Sequence, residues 1–543
     1  MKLLYTWLAA TLLASTAAAQ AIDPAATAAL PGVKAAALEA HVRYLADDAL
    51  RGRLPGTPGY QVAVDYTVKQ LKAVGVQPAG DKGTFTQTVR MRRAFADLNA
   101  LLDYQGATAG PALVQGQDVV FYPNPQLQQV EVNLGLVFVG YGISAPDLGY
   151  DDYAGVEAAG KIVVVTRQAL RQFSLNERQY FSDLRTIIET AANHGAAGVL
   201  LASSHAAPLP TLAKGLVSVL GPDGKVAVSR SYAPGSAQVV ASISAATLQR
   251  LFTGAARDTG RTLAALRAGR PAAQELPGRL HVRTRSRYQD FTSYNVVGKI
   301  VGSDSGLRNE YVVHSAHLDH LGVGEPIKGD SIYNGAHDNA TGVASVLEIA
   351  RLYAGLNVKP RRSVLLVLVT GEEMGLLGSA YFAQFPTVPA ASLVADINTD
   401  MPTLIAPLLS VVPLGADHSS LTTAVAQATA YLGLPVEPDP EPTQNRFIRS
   451  DQYSFVLQGI PALHFKYGNK TANGKNNLSE TVQTWRAATY HKPQDDMSGT
   501  FDWQAGVKFV QLNFLTGYQA AQAPERPRWN KGDFFGRRFG RSE

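Results

Sequence analysis

The groups in this chain that could do chemistry together are imidazoles and carboxylates placed after apolar runs. His317 closes YVVHSAH with Asp319 two residues on, and Asp338 lies in GAHDNATG. Glu372 and Glu373 follow VLLVLVTG, Asp400 ends VADINTD, and His491 lies in ATYHKPQDD. In open α/β sheets, reactive groups collect beyond the carboxyl ends of the strands. Taken singly, each residue has an ordinary explanation, a histidine satisfied in the core or a solvated glutamate turn. Taken together, two histidines with three carboxylates form a nitrogen and oxygen donor set for two zinc ions, one carboxylate bridging them and a water shared between them. The chain has no cysteine, which excludes thiolate zinc sites, iron–sulfur clusters, disulfides and a cysteine nucleophile.

The elements that must carry these groups are legible from periodicity. From Tyr294 the chain alternates short apolar runs (NVVGKIVG, SVLLVLVT, SLVADINTD, IPALHFKYG) with helical stretches such as ATGVASVLEIARLYAG. That alternation predicts an α/β fold, a mostly parallel mixed sheet sandwiched by helices. Ahead of it, residues 36–74 read as helical with an interruption at RGRLPGTPG, and TFTQTVRM reads as a strand. Between Leu134 and Phe252, runs such as GLVFVGYG, GKIVVVT and AAGVLLAS predict a smaller β-rich unit with a helix near Leu184 to His194. Gly254 to Arg287 reads as a polar, arginine-rich connection. No G-x-S-x-G elbow, Walker loop or G-x-G-x-x-G fingerprint is present, which argues against serine-hydrolase and nucleotide chemistry.

HLDHLG, GAHDNATG, TGEEMGLLGS, INTDM and YHKPQDD resemble, in order and spacing, the motifs of the di-zinc aminopeptidase family, whose relatives include glutamate carboxypeptidase II, glutaminyl cyclases and the transferrin receptor. The resemblance implies two Zn2+ per chain in a di-zinc exopeptidase fold. It makes Asp338 the bridging carboxylate, His317 and Glu373 ligands of one zinc, and Asp400 and His491 ligands of the other. Glu372 is then the general base that takes a proton from the zinc-activated water and passes it to the leaving amine. Asp319 would orient His317, Tyr490 would donate to the oxyanion, and Asp495 would act near His491. A cis peptide between Asp338 and Asn339 is also implied. His337, where many relatives have an acid, would add a pocket contact. His314, His320, His418 and His464 match no ligand position and receive structural or surface roles. Arg446, Arg449 and Arg486 fall near the expected pocket, with Arg449 bracing a loop.

The segment with GYGISAPDLGYDDY and AANHGAAGVLL resembles a protease-associated domain. The expected organisation is a signal peptide at 1–19, an N-terminal peptidase part at 20–115, the protease-associated insertion at 116–284, the catalytic domain at 285–525 and a basic, frayed tail at 526–543. The first residues pair Lys2 with an apolar run and an A-x-A boundary, which predicts export to the periplasm or medium without a stable membrane anchor. Net charge is +5, most of it from Lys2 and the tail, so the body is close to neutral and unlike a nucleic-acid binder.

These features predict a zinc-dependent aminopeptidase acting on peptides. A carboxypeptidase on short acidic peptides stands second and would need arginines facing the pocket. A one-zinc glutaminyl cyclase stands third. A non-catalytic receptor scaffold is the rival from a different class.

Overall fold

The computed structural model describes residues 22–97, 99–107, 111–203 and 207–541. The expected signal peptide lies outside the described residues. Four parallel strands form the centre of the catalytic sheet, in the order Ala462–Tyr467, Leu393–Asn398, Tyr311–His317 and Ser363–Val369. Antiparallel strands flank them, Val411–Leu414 at one edge and the end of Gln274–Ile300 at the other. The run SVLLVLV is buried at every position, because helices cover both faces of a parallel sheet.

Alternate side chains of that run enter different cores. Val364, Leu366 and Leu368 pack with the helices Ala35–Leu45, Pro58–Ala73, Thr341–Gly355 and Trp503–Gln522. Leu365, Val367 and Val369 face the opposite core with Phe382 and Phe455. The helix at Pro58 starts where the local chemistry favours it, with Pro58 in its first turn and Thr57 accepting the Tyr60 N–H.

The smaller unit contains the strands Gln129–Phe138, Ile162–Thr166, Gly198–Ala202 and Val239–Ile243, paired in parallel, and the helix Leu184–Asn193. Its junction with the catalytic sheet is one continuous strand, Gln274–Ile300. This strand pairs with Gln129–Phe138 at one end and with Ser363–Val369 at the other. The arginine-rich stretch expected as a connection is therefore ordered structure. It contains the helix Thr259–Arg267 and a strand whose small and apolar residues alternate inward between outward arginines. The expected boundary at 284/285 falls inside that strand.

The tail is not frayed. Phe534 and Phe535 are buried, the indole N–H of Trp529 donates to the Gly459 carbonyl at 3.0 Å, and Asp533 pairs with His418 at 2.5 Å. Two phenylalanines within a basic segment remove enough apolar surface from water to dock it. No helix among the described residues is long and apolar enough to cross a membrane.

Candidate metal centre

The parallel strands deliver their carboxyl ends to one place. His317 is the last residue of its strand and lies in register with Val369, so the Glu372–Glu373 turn emerges beside it. Ser315 is level with Asn398, which brings Asp400 to the other side. Asp338 comes from the turn ahead of the helix Thr341–Gly355, and the peptide bond to Asn339 is cis. His491 follows the helix Leu478–Thr489 in a left-handed conformation (φ 56°), uncommon for a residue with a side chain.

The two oxygens of Asp338 face different histidines. Oδ1 is 3.3 Å from His317 Nε2, and Oδ2 is 3.3 Å from His491 Nε2. Asp400 Oδ1 lies 3.6 Å from His317 Nε2, and Glu373 Oε2 lies 3.1 Å from His491 Nε2. This corrects the expected pairing. His317 groups with Asp400, and His491 with Glu373, because the strand of His317 lies between those leading to Asp400 and to Glu373, and the Glu373 carboxylate turns to the loop of His491.

Three groups hold this arrangement from behind. Asp495, expected near His491, instead clamps the Asp338 turn. Its Oδ1 accepts the His337 N–H at 2.9 Å and its Oδ2 accepts the Asp338 N–H at 3.0 Å. Arg53 is 1% exposed and donates to the carbonyls of Leu318 (2.9 Å), Asn334 (2.6 Å) and Gly335 (3.0 Å), tying the loop after His317 to the loop before Asp338. Burial lowers the Arg53 pKa to about 10 against the fields of Asp319, Asp495, Asp338 and Glu373. Asp319 approaches the His317 ring through its backbone carbonyl, 3.2 Å from Nδ1. Its carboxylate stands 4.0 Å away and accepts the Glu372 N–H at 3.2 Å. It therefore braces the glutamate turn as well as the ring.

The electrostatics are those of a buried anionic cluster. Burial works against the charge on Asp338, but the imidazoles of His317 and His491 beside its two oxygens hold it well below the usual carboxylate range. Burial likewise opposes charge on His491, and Asp338 and Glu373 override it to raise the ring to about 10. Glu372 goes the other way. Burial, with the charges of Glu373, Asp451 and Asp400 and against that of His317, pushes it well above its ordinary value. Asp338 with His317 and Asp400, and Asp338 with His320 and Glu373, each present donor atoms within 4.8 Å of one another. Buried His491 Nε2 and Glu373 Oε1 have no hydrogen-bond partner. Anions this crowded, with lone pairs left over, fit a pair of cations held through nitrogen and oxygen.

A cavity of about 70 Å³ opens on this cluster, lined by His317, Asp338, Glu372, Asp400, Arg446, Arg449, His464, Lys466, Arg486 and Tyr490 among others. Tyr490 stacks on His491 (ring centroids 3.8 Å apart) and lies under the Arg486 guanidinium at 3.7 Å. Arg446 is bound to Asp439 and is 3.3 Å from Glu441, whereas Arg449 is exposed and donates weakly to the Gln444 carbonyl at 3.4 Å. His337 does not reach the cavity. It is buried, stacked on Phe501 at 4.2 Å, with Nδ1 3.0 Å from Asp495.

His320 and His464, given structural or surface roles from the sequence, are buried at the site, His320 beside Glu373 and His464 in the cavity wall. His314 and His418 are indeed structural, against Tyr353 and Asp533. The HLDH spacing held the signal for His320. Asp495 was in view within YHKPQDD, though not its grip on the Asp338 turn, whereas Arg53 acts through backbone groups far away in sequence and no local pattern marks it.

Residues 295–514 match the model described as "Peptidase family M28". A "Probable zinc metalloprotease" of Pyrenophora teres f. teres (strain 0-1) is 25% identical over 299 residues, 48% of this chain and 59% of that protein. "Carboxypeptidase Q" of Xenopus laevis is 34% identical over 119 residues, 21% of this chain and 23% of that protein. The chain thus spans less than two thirds of these curated relatives. The solved structure titled "Aminopeptidase from Aneurinibacillus sp. strain AM-1" has the same fold, with TM-score 0.50 and 20% identity over 92% of this chain and 97% of that one.

Proposed function

Because the chain belongs, through residues 295–514, to peptidase family M28, we propose that it is an exported exopeptidase that uses two zinc ions to remove residues from peptides, acting as an aminopeptidase. One observation carries this, the carboxylate of Asp338 offering one oxygen toward His317 and the other toward His491. His317, Asp338 and Asp400 would hold one ion, and Asp338, Glu373 and His491 the other. Ions there supply Lewis acidity, which lets water attack an amide near neutral pH.

The chain's own groups do the rest. Glu372 lines the cavity beside His317, where its carboxylate can accept a proton from water and return it to the departing amine. Tyr490 keeps its proton because burial, with the charge of Asp338, raises its pKa, so it can donate to the developing oxyanion. Asp319 holds both the His317 ring and the Glu372 backbone. The unit at 116–284 is proposed to be a protease-associated insertion.

A second direction of attack, release of a C-terminal residue, is favoured by Arg449, Lys466 and Arg486 in the same cavity, which could receive a carboxylate. Free, N-acetylated and C-amidated peptides, assayed with zinc and with chelator, separate the two. An aminopeptidase spares acetylated peptides, and a carboxypeptidase spares amidated ones. A chain that binds no zinc and cleaves none of them is a scaffold. Mass spectrometry of exported material should find an N-terminus close to Gln20, and an intact Met1 on it counts against export.

A further inference from the structure

His320 has a place in the centre that neither the residue pattern nor the family resemblance assigns to it. It is fully buried, and neither ring nitrogen has a hydrogen-bond partner. A buried imidazole left in that state forfeits its solvation without replacement, and such groups call for an explanation. Its Nδ1 lies 2.7 Å from Glu373 Oε1, an ion-pair contact that lacks the alignment of a hydrogen bond. The other oxygen of Glu373 faces His491 Nε2 at 3.1 Å, and the His320 and His491 rings meet edge to face with centroids 5.9 Å apart. His320, Asp338 and Glu373 present donor atoms that all lie within 4.8 Å of one another. Poorly aligned with each other and converging with an oxygen of Asp338, this nitrogen and oxygen are placed to face one cation.

We propose that His320 is a protein ligand of the ion held by Asp338, Glu373 and His491. This rests on the metallopeptidase proposal and deepens it. That half of the centre then has two imidazoles and two carboxylates, a full tetrahedral set for zinc. The His317 half has one imidazole and two carboxylates and keeps a position open. The ions are therefore held unequally. The His320 half retains its ion as a structural site does, and the His317 half exchanges its ion more readily.

The test is zinc titration of chelator-stripped full-length protein against a competing chromophoric chelator. Wild type should bind two zinc ions in two affinity classes. His320→Ala should weaken the tighter class by more than the ~10–100-fold typical of losing a group that only orients a ligand, and leave the weaker class unchanged. X-ray absorption on the zinc-loaded wild type provides a readout that needs no variant. Three imidazoles across two zincs are expected, and a zinc-loaded crystal should place a His320 nitrogen about 2.0–2.1 Å from metal. Two imidazoles across two zincs, or unchanged constants in a folded His320→Ala protein, would overturn the assignment while leaving the metallopeptidase proposal intact. Wild type that binds no zinc would instead remove that proposal.

Discussion

Asp495 grips the backbone of Asp338 from 157 positions away, one carboxylate oxygen on the His337 N–H and the other on the Asp338 N–H. The same residue's carbonyl accepts the Ala336 N–H at 2.9 Å. The carboxylate at the middle of the centre is thus aimed by a residue that never touches it through a side-chain pair. Asp495→Asn can accept only one of the two backbone N–H bonds and presents an amide to the other. Zinc affinity should fall roughly 10–100-fold, the range for losing a group that orients a ligand, with the circular dichroism spectrum preserved. Equal affinity in the variant and wild type would mean that the turn holds its shape unaided.

Glu372 and Glu373 are adjacent residues of the same chemistry with different surroundings. Glu372→Gln should keep zinc and lose roughly 100- to 10,000-fold in kcat, the range for general acid–base catalysis. Glu373→Gln should lose metal and activity together, with partial recovery in excess zinc. Zinc per chain measured beside kcat distinguishes them, and the reverse pattern would exchange their roles.

Far from the centre, Asp152 accepts the N–H groups of Tyr141 (2.9 Å) and Ile143 (3.2 Å) and the Tyr150 hydroxyl (2.7 Å). Burial outweighs these bonds and raises its pKa from 3.8 to about 7. A carboxyl whose pKa is higher folded than unfolded binds its proton more tightly in the folded state. Its contribution to stability is complete below 3.8 and disappears as pH rises toward 7, on the order of a few kcal/mol in all. Urea unfolding of wild type from pH 4 to 7 should carry this downward slope, and Asp152→Asn should flatten it. Parallel slopes in the two proteins would assign the effect elsewhere.

Phe535 anchors the tail, packed at 5.1 Å from the His418 ring and 5.6 Å from that of Phe447. Phe535→Ala should destabilise the protein by about 3–5 kcal/mol, as truncation of a fully buried aromatic does, read as a lower urea midpoint at constant m-value. A loss below about 0.5 kcal/mol would mean that the tail is only laid on the surface.

Which groups meet was legible because His317, Glu372, Glu373 and Asp400 all follow apolar runs, and parallel strands bring such ends together whatever the loops do. How they pair was not. The partner of His491 depends on a left-handed residue after a helix and on a turn clamped by Asp495, and neither has a local pattern. His320 was set aside for matching no ligand position, although its spacing from His317 was in view. The tail was misjudged because its arginines set the average and Phe534 and Phe535 set the outcome. The strand from Gln274 was hidden by arginines at alternate positions, which point outward from a ladder whose inward residues are small or apolar.

The strand Gln274–Ile300 acts as a beam without a joint. It enters the smaller unit's sheet at one end, borders the strand leading to Glu372 and Glu373 at the other, and pairs with Thr86–Ala96 through its middle. The strand Leu216–Leu220 of the smaller unit also pairs with Thr86–Ala96, and its Val219 packs with Met91 and Leu377 just past the glutamate turn. A hinge between the two units would have to break a continuous ladder, so relative motion is restricted to twisting of the shared sheet. The smaller unit is thereby held rigidly against the strand and turn that carry Glu372 and Glu373.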